Sequence, residues 1–315
     1  MFKGILFALG ACFIWGFIFV IPQFMINFTS IEVTMGRYVF YGVISALIFA
    51  KSKIRGTCNY PRHIWIKALW FSLISTIVYF TFLVLGLRYC TPAICTLILG
   101  IAPIVIAFYG NWKQKEVSFR SLVIPSFLIL IGLICINLPN LSETRSLTTH
   151  MWGLLFSLIA LITWSWYAVT NSRLLKKHPE IHSSDWTTLV GMATLFWVVI
   201  FTLFFATFFP SQLNIHKFLI FDQNMVQFLI GSAVLGVVCS WIGAFLWNRA
   251  SFYLPISLAG QITIFETIFG IFTIYLVEKK LPPRLECIGI LLFIVAIAYC
   301  IHQFARKPTA YPEIN

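Results

Sequence analysis

Acidic side chains are scarce in this chain. Only ten Asp and Glu stand among 315 residues, and the four charged types together reach 10%. A soluble domain carries roughly 25%, so an ordinary globular fold is excluded. Long polar connections are missing as well, which leaves no room for an inserted soluble domain. The patterns that intramembrane catalysis or metal binding needs are absent. There is no HExxH, no CxxC, no acidic pair of the DxxD kind and no Ser/Lys arrangement, and the six histidines fall in connections or near the ends of apolar runs. Cys12, Cys95, Cys135, Cys239 and Cys300 lie inside apolar runs, where a thiol behaves as a small hydrophobe. Neither a cofactor nor a metal is expected, and the chain does not read as an enzyme. Rings of charge or repeated filter loops, which would mark a channel, are not visible either.

Apolar surface is what the chain has in excess, with 60% hydrophobic residues and a mean hydropathy of +0.91. Runs near or above 18 apolar residues recur along its length, the signal of membrane-crossing helices. Ten are expected, at about 4–26, 33–50, 64–86, 91–110, 120–138, 151–172, 185–209, 225–247, 255–277 and 284–304. The first has no small-x-small cleavage site and reads as a retained span rather than a signal peptide. The fold class is therefore all-α and polytopic.

The formal charge of +12 could suggest nucleic acid, but the basic residues sit in short connections, which the positive-inside rule explains better. With the N-terminus in the cytoplasm, 15 of the 22 Lys and Arg fall inside and seven outside, the outer set being Arg37, Arg88, Arg145, Lys217, Lys279, Lys280 and Arg284. Both termini are thus expected in the cytoplasm. The Lys279–Lys280–Arg284 cluster runs against the rule.

The chain repeats itself. GILFALGACFIWGFIFV at 4–20 aligns without a gap on GLLFSLIALITWSWYAV at 153–169, keeping Gly4/Gly153, Leu6/Leu155, Phe7/Phe156, Leu9/Leu158, Ala11/Ala160, Trp15/Trp164 and Val20/Val169. Pro92 opens the fourth span and Pro255 the ninth; Glu116 with Arg120 follows in one half, Glu278 with Arg284 in the other. Two repeats of five spans, residues 1–142 and 143–315, are expected. An odd number of spans inverts the second copy, and inverted repeats are an architecture of secondary transporters that work by alternating access.

These residues resemble the drug/metabolite transporter superfamily, in particular its ten-span EamA-type members. The resemblance rests on Trp15–Gly16, on Arg37–Tyr38, on Pro103 followed thirteen residues later by Glu116, and on Gly132 in the fifth span, with Trp164 and Glu278 as looser matches in the second half. It implies export or exchange of a small metabolite, driven by a proton or counter-solute gradient, through a central cavity lined mainly by spans 1, 3, 4, 6, 8 and 9. It implies nothing about Glu266, because an acid is not general at that place. Counting back from Glu278 puts Phe265 opposite Pro103, whereas counting on from Pro255 puts Glu266 there.

Glu266 is the residue that composition alone makes conspicuous, an acid at the centre of the apolar run from Pro255 to Val277. On its helical face lie Ala259, Thr263, Gly270 and Thr273, small or hydroxylated residues that suit a helix interface rather than lipid. No Lys, Arg or His falls at matching depth, and low-dielectric surroundings disfavour an unpaired charge. Three roles fit: a proton carrier, a counter-ion for a substrate's amino group, or a protonated side chain that only fixes packing. Trp15 and Trp164, near midplane, suit substrate stacking or interhelix packing. Tyr79, Trp241 and Gln261 lie on spans that the resemblance makes cavity-lining. Asn171 and Asn248 read as polar groups at span ends, and Arg37 as a structural residue snorkelling to the outer head groups.

The function these features point to is secondary transport of a small metabolite, an amino acid, an amine or similar, in the cytoplasmic (inner) membrane of a bacterium. The partners are substrate, bilayer and a proton or counter-solute, without nucleic acid. An intramembrane enzyme or an assembly protein is the alternative. Without Lys or Arg at midplane, anionic substrates are disfavoured.

Overall fold

Backbone N–H and C=O groups cannot stay unpaired in hydrocarbon, and a chain this apolar satisfies them inside helices. The computed structural model describes residues 1–54, 60–90, 92–138, 147–213 and 215–306. Every regular element among them is helical. Ten helices are long and apolar enough to cross a membrane: α1 Phe2–Phe24, α2 Ser30–Ser52, α3 Arg62–Tyr89, α4 Ile94–Trp112, α5 Phe119–Asn137, α6 His150–Lys177, α7 Ser183–Phe208, α8 Gln223–Tyr253, α9 Ile256–Glu278 and α10 Arg284–Ala305. The all-α, ten-span expectation is borne out. The expected boundary between residues 142 and 143 lies outside the described residues, as do Arg55, Arg145 and Lys307 of the charge count.

Since the crossings alternate, α1 begins on the face where α10 ends, called here the terminal face, the other being the opposite face. Four of the helices depart from regular α geometry in the middle. In α4 a half-helix α4a (Pro92–Gly100) meets α4b (Ala102–Gln114) at Ile101. Pro103 explains this, as it lacks an N–H and its ring crowds the carbonyl four residues back. In α9, α9a (Ile256–Ile262) meets α9b (Ile264–Glu278) at Thr263. No proline stands there; the Thr263 hydroxyl takes the Gly260 carbonyl at 2.6 Å, and the Thr263 N–H bonds the same carbonyl. Counted from the two breaks, Phe265 falls opposite Pro103, each the second residue of its half-helix. The helices α3 and α8 carry wide π turns instead, at Leu73–Val78 and Val234–Ile242.

Packing joins distant parts of the chain. The closest partners are α5 with α10, α2 with α7, α3 with α6, and α1 with both α8 and α9b. Gly132 and Gly289 set the α5–α10 crossing, where a Cβ on Gly289 would stand 2.7 Å from the Gly132 carbonyl oxygen. Small residues at such points let backbones meet and gain van der Waals contact that lipid cannot supply. On the terminal face α4b packs on α9a, whereas α9b packs on α1.

Candidate functional site

The break at Thr263 decides the setting of Glu266. It puts this acid in the first turn of α9b, three residues past the break, with its N–H on the Thr263 carbonyl at 3.0 Å. The first-turn N–H groups of a helix carry the positive end of its dipole, so the carboxylate stands at a half-helix terminus inside the bundle. Two of its small-residue neighbours, Gly270 and Thr273, meet α1. A Cβ on Gly16 would lie 3.0 Å from the Gly270 backbone nitrogen, the Thr273 hydroxyl donates to the Gly16 carbonyl at 3.2 Å, and the Cys12 thiol donates to the Ile262 carbonyl at 3.6 Å. Among the described residues the Glu266 side chain makes no hydrogen bond or ion pair, and it is only half-buried. Cys12, Tyr79 and Arg37 lie within reach of its field.

Aromatic rings gather on the neighbouring helices. The Trp164 ring stands 6.3 Å from Trp15, 5.2 Å from Tyr79 and 5.5 Å from Tyr167. Trp247, which the sequence reading did not single out, lies 5.7 Å from Trp15. Their accessibility separates them. Trp15 is buried and spends its indole N–H on the Cys239 carbonyl at 3.0 Å, inside the π segment of α8. Trp164 and Tyr79 keep part of their surface open. Trp241 sits on the same π segment, stacks on Phe245 and donates to the Thr188 hydroxyl at 3.3 Å. Gln261 is fully buried and turned toward α5, its amide nitrogen 3.4 Å from the Ser126 hydroxyl and its carbonyl oxygen without a partner among the described residues.

Two expectations need correction. Arg37 does not snorkel to the outer head groups: its Nε donates to the Ser240 hydroxyl of α8 at 2.8 Å. The π turns make this possible, because Ser240 itself bonds the Leu235 carbonyl five residues back and offers its oxygen to α2. Asn171 and Asn248 are not end-of-span polar groups. Asn171 donates to Asn248 (2.8 Å), Asn248 donates to Thr187 (2.8 Å), and Trp186 donates to Asn171 (2.7 Å), so α6, α7 and α8 share one buried network. Both spans run further than the apolar pattern suggested, to Lys177 and Tyr253, and carry these asparagines inside.

A separate cavity of about 460 Å³ opens toward the terminal face between Tyr60, His63, His178, Glu180 and His182. Hydrogen bonds from its own backbone N–H and from His178 hold the Glu180 carboxyl below its ordinary pKa. No group of three or more His, Cys, Asp or Glu side chains among the described residues is placed to hold a metal ion.

The chain is similar over 98% of its length to the inner membrane protein YtfF of Escherichia coli (strain K12), at 28% identity and 98% coverage of that protein. An uncharacterized transporter of Archaeoglobus fulgidus is 24% identical over 89% of this chain and 100% of its own. A solved crystal structure shares the fold at a TM-score of 0.75, with 15% identity over 95% of this chain and 98% of that one. Residues 2–138 match the model of the EamA-like transporter family. The ten apolar helices and a full-length relative named as an inner membrane protein make the chain a multi-pass membrane protein, and its residues 2–138 are similar to the EamA-like transporter family.

Proposed function

We propose that this chain is a secondary transporter that moves a small metabolite with an amino group, an amino acid or a related amine, by alternating access between two inverted repeats, residues 1–142 and 143–315. The observation that carries this reading is the Glu266 carboxylate, which has no hydrogen-bond partner among the described residues and lies at the N-terminal turn of a broken helix, within electrostatic reach of Arg37 and of Tyr79, whose ring neighbours Trp164. A carboxylate and aromatic faces attract an ammonium group, and the guanidinium of Arg37 suits a carboxylate. Together they favour a zwitterion or a cation over an anion. The paired breaks in α4 and α9 and the paired π turns in α3 and α8 support the repeat reading. Broken helices that meet near midplane are where transporters of inverted-repeat design hold substrate and coupling ion.

In this mechanism Glu266 exchanges a proton for the substrate's ammonium, so that uptake of one favours release of the other, in the membrane with both termini on the cytoplasmic side. The test is a liposome assay with an internal pH dye, comparing wild type with Glu266→Gln on pooled amino acids and amines. Substrate-dependent proton movement that vanishes in the variant supports the assignment. Equal proton movement in both removes Glu266 from coupling and returns it to packing.

A further inference from the structure

Glu116 follows α4b on the terminal face, and its carboxylate is bound with unusual completeness. One oxygen accepts the Ile256 N–H at 2.8 Å; the other accepts the Ser257 N–H at 2.8 Å and the Ser257 hydroxyl at 2.6 Å. These are the first residues of α9, so Glu116 ties the end of α4 to the start of α9. The acid is rigidly mounted. Lys115 turns the chain in the left-handed region (φ 49°), and Asn111 clamps Val117 through both its N–H and its carbonyl, each at 2.9 Å.

Glu278 holds the corresponding place on the opposite face. Each glutamate lies fifteen residues beyond the break in its own span, Ile101 or Thr263, and Lys279 turns the chain there with φ 54°. Yet Glu278 is exposed, and its one hydrogen-bond or ion-pair contact among the described residues is Lys280, at 3.4 Å. Around it α9b packs on α1, with no comparable packing on α4a among the described residues. One face thus shows acid and helix start joined with α4b on α9a, and the other shows the acid apart and α9b away from α4a.

We propose that Glu116 and Glu278 are reciprocal gate latches: Glu116 closes the terminal face by tying α4 to the start of α9, and Glu278 closes the opposite face by tying α9 to the first turn of α4a in the alternate state. Each latch engages as the other releases, because α4 and α9 each contribute an acid at one end and a helix start at the other. The structure is the state with the terminal face closed. The inference rests on the repeat reading proposed above.

Hydrogen–deuterium exchange of the full chain in nanodiscs tests it without a known substrate. Hydrogen bonds to a charged group are strong enough that Glu116→Gln should shift the balance of states about tenfold. Exchange should rise by about that factor across 102–114 and 256–262, and fall across 92–100 and 264–278. Glu278→Gln should leave the terminal face closed and slow its exchange further. Ser257→Ala, which keeps the acid and removes one bond, should act in the direction of Glu116→Gln with a smaller effect. A purely structural cap predicts faster exchange near residue 256 with the opposite face unmoved, and that result overturns the latch. Flux in the liposome assay with no reciprocal exchange leaves the transport reading standing and removes the latch. Reciprocal exchange without proton-coupled flux keeps the latch and removes the coupling.

Discussion

The indole Nε1–H of Trp15 donates to the Cys239 carbonyl at 3.0 Å, joining residues 224 positions apart. The carbonyl belongs to the π segment of α8, where the wider turns leave backbone groups to be satisfied by neighbouring helices. Trp15→Phe keeps most of the ring area and removes the donor. Leaving this carbonyl unpaired should cost about 1–3 kcal/mol, read as a lower melting temperature of the purified protein. An unchanged melting temperature would mean that water or a neighbour takes over the carbonyl.

Arg37 should set substrate charge type. Arg37→Lys keeps the charge and loses the planar fork that a carboxylate matches. The expected result is a KM about tenfold higher for a zwitterionic amino acid, with a simple amine of the same side chain little affected. Equal losses for both would assign Arg37 to holding α2 against α8 through Ser240.

The α5–α10 crossing should not tolerate a methyl group. A Cβ on Gly289 would stand 2.7 Å from the Gly132 carbonyl oxygen and equally near the Ile136 side chain. Gly289→Ala should therefore destabilise by about 1–3 kcal/mol, the usual range for overpacking. Detergent unfolding curves of wild type and variant give the difference, and coincident curves would show that the helices separate at no cost.

Asp222 gives a pH signature outside the spans. It caps α8, accepting the Met225 N–H at 2.8 Å and the Asn224 amide at 2.8 Å, and these bonds hold its carboxyl below the ordinary value. A depressed folded pKa adds stability that is complete above the unfolded value of about 3.9 and disappears as pH falls through the folded one. Asp222→Ala should melt below wild type at neutral pH, and the gap should close on acidification beneath about pH 4. A gap constant with pH would separate the cap from the charge.

Much of the fold was legible because membrane spans are coded locally. Ten apolar runs of about 20 residues match the 30 Å hydrocarbon thickness, and each appears as a helix. Glu266 was legible for the same reason, an acid that no other principle explains at the centre of such a run. Its helical face was also readable, since Gly270 and Thr273 do meet α1. The inward turn of Arg37 was not, because it depends on a π segment 203 residues away presenting the Ser240 hydroxyl, and π turns leave no hydrophobic period. The Asn171–Asn248 contact had no signal either: both lie near the ends of apolar runs, and only the longer helices bring them together.

By itself, then, the sequence determined the class, the number and order of the spans, the family resemblance and the depth of one acid, all of them properties of single segments against lipid. The tertiary structure alone decided which side chains meet. It turned Arg37 onto the Ser240 hydroxyl of α8, spent the Trp15 N–H on α8 and left Trp164 and Tyr79 partly open. It also engaged Glu116 while leaving Glu278 on the surface. The reason is physical: two acids at the same distance from two similar breaks are equivalent along the chain, and only the packing of α4 against α9 makes one face differ from the other.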